Sequence, residues 1–407
     1  MSLENFPSIA RESRAHAQRL ETNTDKVCLP MIAESAPQST PVAAVDVAAT
    51  AGTRLTIIDG LRGVAAMLVV VYHLCVAASL SDVPVIGYLL THGNLGVEVF
   101  FVISGFVISY SVRNAEHTVS FLGRFALRRS LRLDPPYWLT IACEIVLIKL
   151  GLMLFPDHIV PLPTVGDVLA HLVYMQELLH RTEILSIFWS LCYEVQFYLV
   201  LVGTLVLVRL AKRKWSRLDK TSILIALGAL SFVYSIAVDS EIFAYPIHGL
   251  FVDRWYQFCL GIITLAVISR WLPTYAVVLA WLTIGACLLL GPASLYTAQS
   301  ALTCVATSVV IVLSTRFSAI TRLAETRTLQ FLGRISYSLY LIHSVVGWRF
   351  ASVALRLLPS HPSIIVRGTV FLLGVLISVL AAHLMYLVVE RPSLKLAGRI
   401  RTNQRAG

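Results

Sequence analysis

Runs of about 20 mostly apolar residues recur from Ile57 to Val389, and that is the length a helix needs to cross the hydrocarbon layer of a bilayer. A helix apolar on every side must be covered by lipid or by other helices. The pattern therefore predicts an all-α integral membrane protein of about ten transmembrane helices in one bundle. The spans fall near Ile57 to Leu80, Asn94 to Ser111, Pro135 to Phe155, Ile187 to Val208, and Thr221 to Val238. Five more follow: Phe251 to Ile268, Pro273 to Leu290, Thr297 to Thr315, Phe331 to Phe350, and Ser363 to Val389.

Only 14% of the 407 residues are charged, against about a quarter in a soluble domain. A net charge of +10 would suit nucleic acid if it were gathered on one soluble face, but the Lys and Arg residues lie between the apolar runs. They set orientation instead. With the amino terminus cytoplasmic, inside connections hold Arg113, Arg124, Arg128, Arg129 and Arg132, then the Arg209 to Lys220 cluster, then Arg270, Arg316, Arg322 and Arg327. The outside connections from Leu80 to Asn94 and from Leu290 to Thr297 have none, with Arg181 and Arg356 as exceptions. The positive-inside rule then puts both termini in the cytoplasm.

Residues 1–53 mix Ser, Thr, Pro, Ala and charges without a signal-peptide core and read as a flexible cytoplasmic tail. Residues 54–396 form the membrane domain, and residues 397–407 a basic cytoplasmic tail. The seven cysteines show no paired metal spacing, which predicts buried thiols without disulfides, and no metal is expected. The stretch from Pro156 to Ser186 is too polar to span, but Val168, Leu169, Leu172, Val173, Met175, Leu178 and Leu179 suggest a helix lying on the membrane surface.

The first span, IIDGLRGVAAMLVVVYHL, places Arg62 and His73 eleven positions apart, on one helical face and about 16 Å apart along the axis. Ionisable groups inside a bilayer are costly and lean towards function. That separation suits an extended acyl carrier whose phosphates stay at the inner surface while its thioester reaches the imidazole. The bland alternative is an Arg62 that pairs with Asp59 and a His73 bonded to a neighbouring helix. The second span combines Glu98, Ser104, Gly105 and Ser109; close helix packing explains its small residues as well as a ligand does.

The stretch RFALRRSLRLDPPYW brings Arg124, Arg128, Arg129 and Arg132 to the start of the third span, where they could grip phosphates bidentately or contact anionic lipid. In the fourth span, Glu194 stands seven residues from the outer start, matching the depth of His73, so a carboxylate could orient that base. The ninth span carries a polar stripe of Tyr337, Tyr340, His343 and Ser344, a candidate pocket lining. His248 and Asp253 have the H-x-x-x-x-D spacing of glycerolipid acyltransferases, but among 11 histidines one such match is an ordinary coincidence.

Taken in order, these segments resemble the acyltransferase 3 family of multispanning membrane O-acyltransferases, which includes bacterial enzymes that acetylate lipopolysaccharide and other exported glycans. Arg62 and His73 fit its R-x10-H signature, Gly96 through Phe106 its second-helix segment, and Arg129 with Arg132 its R-x-x-R motif. Trp189, Ser190, Leu191, Glu194, Phe197 and Tyr198 resemble its WSL-x-x-E-x-x-FY segment. Ser336 through Leu341 with His343 look like SYSLYL-x-H, and Glu390 with Pro392 like the closing E-x-P.

The resemblance implies acetyl-CoA or another acyl-CoA as cytoplasmic donor, a glycan or glycolipid hydroxyl as acceptor, and the bacterial inner membrane as location. It makes His73 and Glu194 the catalytic candidates, and Arg62, Arg128, Arg129 and Arg132 the donor-binding ones. Ser104, Trp189, Ser190, Tyr337, Tyr340 and His343 are then expected to contact substrate. Some relatives append an SGNH-type esterase-like domain; only 15 residues follow Pro392, so this chain would pass the acyl group on itself. A glycan or glycolipid transporter or flippase is the competing reading, and an acyl-CoA sensor a third.

Overall fold

A computed structural model describes residues 47–154, 161–214, 219–245, 247–359 and 362–400; among them the regular structure is helical throughout. In chain order, α1 (Val47–Ala77) is followed by the short α2 (Ile86–Thr91), then α3 (Gly96–Val112) and α4 (Val119–Leu154). A short helix, α5 (Val165–Leu172), precedes α6 (Trp189–Lys214), α7 (Lys220–Asp239), α8 (Trp255–Ile268), α9 (Tyr275–Leu290) and α10 (Leu295–Ser314). After α11 (Ser318–Ala324) come α12 (Arg327–His343), α13 (Arg349–Arg356), α14 (Ile364–Met385) and α15 (Arg391–Gly398).

Among the described residues, 9 helical stretches are long and apolar enough to cross a membrane. They correspond to nine of the ten predicted spans. The tenth, α9, is apolar but only 16 residues long, or about 24 Å at the helical rise.

Three boundaries differ from the sequence reading. Helix α1 begins at Val47, so residues 47–53 of the predicted tail are helical; the rest of that tail, with Cys28, lies outside the described residues. At the other end α15 reaches Gly398, and residues 401–407 lie outside the described residues.

The third difference matters for the site. The arginine-rich stretch read as a connection is the first half of α4, which runs unbroken for 36 residues through Pro135 and Pro136. Those prolines lack an N–H, so the carbonyls of Leu131 and Arg132 have no helical donor. Beside this gap, the Tyr337 hydroxyl donates to the carbonyl of Leu133 at 2.8 Å. At about 54 Å the helix exceeds the roughly 30 Å hydrocarbon thickness, which leaves its arginine-bearing half at the polar boundary.

Helix α5 is capped by Thr164 and Asp167 in a reciprocal capping box, and the bonds from Thr164 hold the Asp167 carboxyl below its usual range. Leu169, Val173, Met175 and Leu179 are exposed, as a membrane-surface segment requires, although the helix ends at Leu172 and the last three lie beyond it. Cys75, Cys192, Cys259, Cys287 and Cys304 are buried free thiols, and Cys143 is half-buried.

Glycines bring two helix pairs to near backbone contact. A methyl group on Gly105 of α3 would sit 2.0 Å from the Phe258 carbonyl oxygen of α8, and one on Gly261 would sit 2.0 Å from that of Val102. Between α1 and α12, a methyl on Gly333 would meet the Asp59 carbonyl oxygen at 2.1 Å, and one on Gly63 the Gly333 nitrogen at 2.8 Å. Such approaches are a main source of helix association where hydrophobic driving force is absent. Directly after α12, residues Ser344–Trp348 form a π-turn, a distortion frequent at functional sites.

Candidate functional site

Helices α1 and α12 supply a pair of histidines. His343 is fully buried, and its Nε2 lies 3.2 Å from Nδ1 of His73. The His343 Nδ1 is 3.0 Å from the carbonyl of Leu339, and the His73 Nδ1 is 2.9 Å from that of Val69. A carbonyl oxygen only accepts, so each ring carries its proton on Nδ1. His343 Nε2 is then an acceptor, facing the His73 N–H and the Ser344 hydroxyl at 3.2 Å. This arrangement leaves the lone pair of His73 on Nε2, which has no hydrogen-bond partner among the described residues.

A narrow cavity of about 80 Å³ is lined by residues of α1, α3, α4, α6 and α12, without either histidine. Arg62, Arg129, Arg132, Ser104, Ser190, Glu194, Ser336, Tyr337 and Tyr340 are on its wall. Three guanidinium groups against the one carboxylate of Glu194 leave the lining two positive charges in excess, a field that favours an anionic ligand. Arg129 Nε and Ser336 Oγ are buried there without hydrogen-bond partners among the described residues. Tyr340 links this cavity to the histidines: its hydroxyl is 2.6 Å from that of Ser190, and its ring is 6.2 Å from His343.

Glu194 accepts from Arg129 and from the Ser104 hydroxyl, both at 2.8 Å. Arg129 also lies over the Tyr198 ring, 5.0 Å from its centroid, an added cation–π contact. The ion pair is mostly enclosed, with side-chain exposures of 14% and 22%, so each partner offsets a desolvation cost for the other. The equal depth of Glu194 and His73 predicted a direct pair. Glu194 instead meets Arg129, and the ring that holds His73 belongs to His343.

His73 opens into a cleft of about 1130 Å³. Its walls come from the outer half of α1, from α4 between Glu144 and Leu154, and from the chain between Ser344 and Leu357. His73 therefore does not line the arginine cavity. Tyr340, on the wall of that cavity, is the side chain that approaches the pair, its ring 6.2 Å from that of His343.

Of the other predicted residues, Arg128 is exposed and off the arginine cavity, one turn before Arg132 on α4. Trp189 packs against Phe101 and Tyr193 rather than lining that space. His248 is exposed, and Asp253 pairs with Arg254 at 3.2 Å.

Two groups near the site were not singled out in sequence. Glu144 of α4 forms an ion pair with Arg349 across the cleft, and a carboxylate inside the third span was the available signal. Glu390, read only as part of a motif, accepts from the Ser338 hydroxyl at 2.6 Å and tethers α14 and its π-turn to α12.

The fold and these spaces define a polytopic membrane protein with a cationic cavity, a largely apolar cleft and a buried histidine pair beside them. Residues 55–386 match the acyltransferase 3 family, described as an acyltransferase domain, and the chain belongs to that family. It is similar to a candidate O-acetyltransferase of Staphylococcus aureus (strain COL), 30% identical over 201 residues, covering 45% of this chain and 30% of that protein. Peptidoglycan O-acetyltransferase OatA of Listeria monocytogenes is 30% identical over 193 residues, covering 44% of this chain and 28% of that protein. The chain thus matches about a third of the length of these relatives. Acyltransferase MdmB of Streptomyces mycarofaciens is 27% identical over 387 residues, covering 86% of this chain and 94% of that protein. No solved structure matches the chain.

Proposed function

We propose that the chain is a membrane O-acyltransferase that moves an acyl group, acetyl as the first candidate, from acyl-CoA to a hydroxyl of a glycan or glycolipid. The observation that carries this reading is the position of His73, which lines the cleft with an Nε2 that has no hydrogen-bond partner among the described residues, while the ring of its partner His343 stands 6.2 Å from Tyr340 on the wall of the cationic cavity. Arg62, Arg129 and Arg132 bind the phosphates of the donor, and the unsatisfied Arg129 Nε and Ser336 hydroxyl offer two further donors to it. The thioester arm enters the narrow cavity and reaches the histidines past Tyr340.

On the cleft side, His73 Nε2 takes the proton of the acceptor hydroxyl while that oxygen attacks the thioester carbonyl. The C–S bond breaks as the ester C–O bond forms, and the proton leaves with the CoA thiolate. Hydrogen bonds from the His73 N–H to Val69 and His343 hold the ring in the tautomer this step needs. Glu194 contributes by fixing Arg129 and Ser104 on the donor side.

The basic connections support an orientation with both termini, and the arginine cavity, on the cytoplasmic side of a bacterial inner membrane. Purified protein supplied with radiolabelled acetyl-CoA and a hydroxylated acceptor tests the activity directly. Acceptor-dependent release of CoA is expected. Its absence across glycan and glycolipid acceptors would overturn the reading in favour of transport.

A further inference from the structure

We infer that the cleft beside His73 is an acceptor site for an amphiphilic glycoside, a sugar hydroxyl carried on an apolar body, which enters from the bilayer. This rests on the acyl-transfer reading for the identity of the reacting group, but not for the binding itself.

Polar side chains of the cleft lie at the level of the histidines. Tyr72, Ser344 and Trp348 adjoin His73 in sequence or space, with the Trp348 ring centroid 6.2 Å from that of His73. The Glu144–Arg349 pair stands on the facing walls, with Arg349 Nε donating to Glu144 at 3.3 Å. Farther along each helix, the lining turns mainly apolar, through Leu147, Ile148, Leu150 and Leu154 on α4 and Val353, Ala354 and Leu357 at and just beyond the end of α13, with Arg356 the charged side chain of that stretch. At the rim, Leu154 is 64% exposed and Leu357 75% exposed, so the apolar wall runs on into the lipid-facing surface.

A hydrated polysaccharide would lose most of its water contacts against such walls without recovering hydrogen bonds, at a cost of kilocalories per buried hydroxyl. An alcohol with an apolar aglycone loses none, because lipid and cleft are equally apolar. Its sugar finds the carboxylate–guanidinium pair and the His73 lone pair at the polar end. Polar groups at one end and greasy walls beyond match the two halves of an amphiphile.

Gly151 provides a specific lever. It lines the cleft, and among the described residues a Cβ added there meets nothing within 4 Å, so Gly151→Trp would put bulk into the open space without displacing their backbone. The test uses full-length protein in nanodiscs with the His73→Ala substitution, so that binding is read without turnover, and a decyl glucoside carrying a terminal diazirine. Photolabelling should concentrate between Leu147 and Leu154 and between Val353 and Leu357. Unlabelled decyl glucoside should compete, and methyl glucoside and phosphatidylcholine should not.

Gly151→Trp should reduce the label by about tenfold while leaving acyl-CoA affinity unchanged, with Val353→Trp as the same block from the facing wall. Label spread over all lipid-facing helices, displacement by phosphatidylcholine as effective as by the glycoside, or indifference to both tryptophans would overturn the inference. A parallel assay of the unsubstituted protein with acetyl-CoA and decyl glucoside separates the two ideas. Cleft labelling without ester product would retire the acyl-transfer reading alone.

Discussion

His73 and His343 face one another across 3.2 Å from two different helices, and the nitrogen that His343 presents is the one without a proton. The candidate base is thus oriented by an imidazole and a backbone carbonyl, where many bases are oriented by a carboxylate. Replacing His343 with Ala should lower kcat with little change in the KM for acyl-CoA. His343→Gln, whose amide oxygen can accept the same hydrogen bond, should recover part of the loss. A merely structural role would instead reduce folded protein and leave kcat per folded molecule unchanged.

Removing the base has a larger expected effect. His73→Ala or His73→Gln should cut acyl transfer by about 100-fold or more, measured in membranes at matched protein level, with donor affinity preserved. Full activity in either variant would sink the assignment.

Arg129 has two roles in this site, as a donor-binding cation and as the partner of Glu194. Arg129→Ala should weaken acyl-CoA binding by about tenfold or more and leave Glu194 enclosed without its counter-charge, a change that typically costs about 3–5 kcal/mol when fully buried and less at the 14% and 22% exposure seen here. Glu194→Gln in the same background should recover part of the stability but not the affinity. A double-mutant cycle on thermal unfolding and on donor titration reads the two effects separately.

The crossing of α3 and α8 sets a steric limit. Gly105→Val should destabilise the bundle by about 1–3 kcal/mol, because the new side chain would overlap the Phe258 carbonyl. Gly203→Ala is the control, since a Cβ there meets nothing within 4 Å. Thermal melting in detergent should separate the two, and equal melting temperatures would contradict the close approach.

Orientation can be checked without any activity. Alkaline phosphatase fused after Gly291, in the connection between α9 and α10, should be active, and a fusion after Arg316 should be silent. The reverse pattern would place the arginine cavity on the wrong side for a cytoplasmic donor.

Much of this arrangement was legible in the residues because membranes impose a one-dimensional rule: apolar length gives spans. Arg62, Arg129, Arg132, Ser104, Ser190, Glu194, Tyr337 and Tyr340 were picked out as charged or polar groups in apolar surroundings, and one cavity gathers all eight. What failed was pairing. Depth along a helix can be counted, but azimuth and neighbour identity depend on how ten helices pack, so Glu194 was matched with the wrong partner. Arg128 shows the same limit: it lies one turn from Arg132 on α4, yet only Arg129 and Arg132 are on the cavity wall. The cleft was harder to read, since beyond His73, Ser344 and the Glu144–Arg349 pair most of its walls are ordinary lipid-compatible side chains.

The near-contact between Gly63 and Gly333 has a bearing on how the histidines meet. His73 lies ten residues beyond the one glycine and His343 ten residues beyond the other, so two helices pinned at a common foot and running the same way carry their rings to the same height, about 15 Å further on. Ring alignment is then a matter of counting. Adding a single residue to either helix between glycine and histidine would lift one imidazole by about 1.5 Å and swing it by about 100°, enough to part the pair while every atom of both side chains remained present.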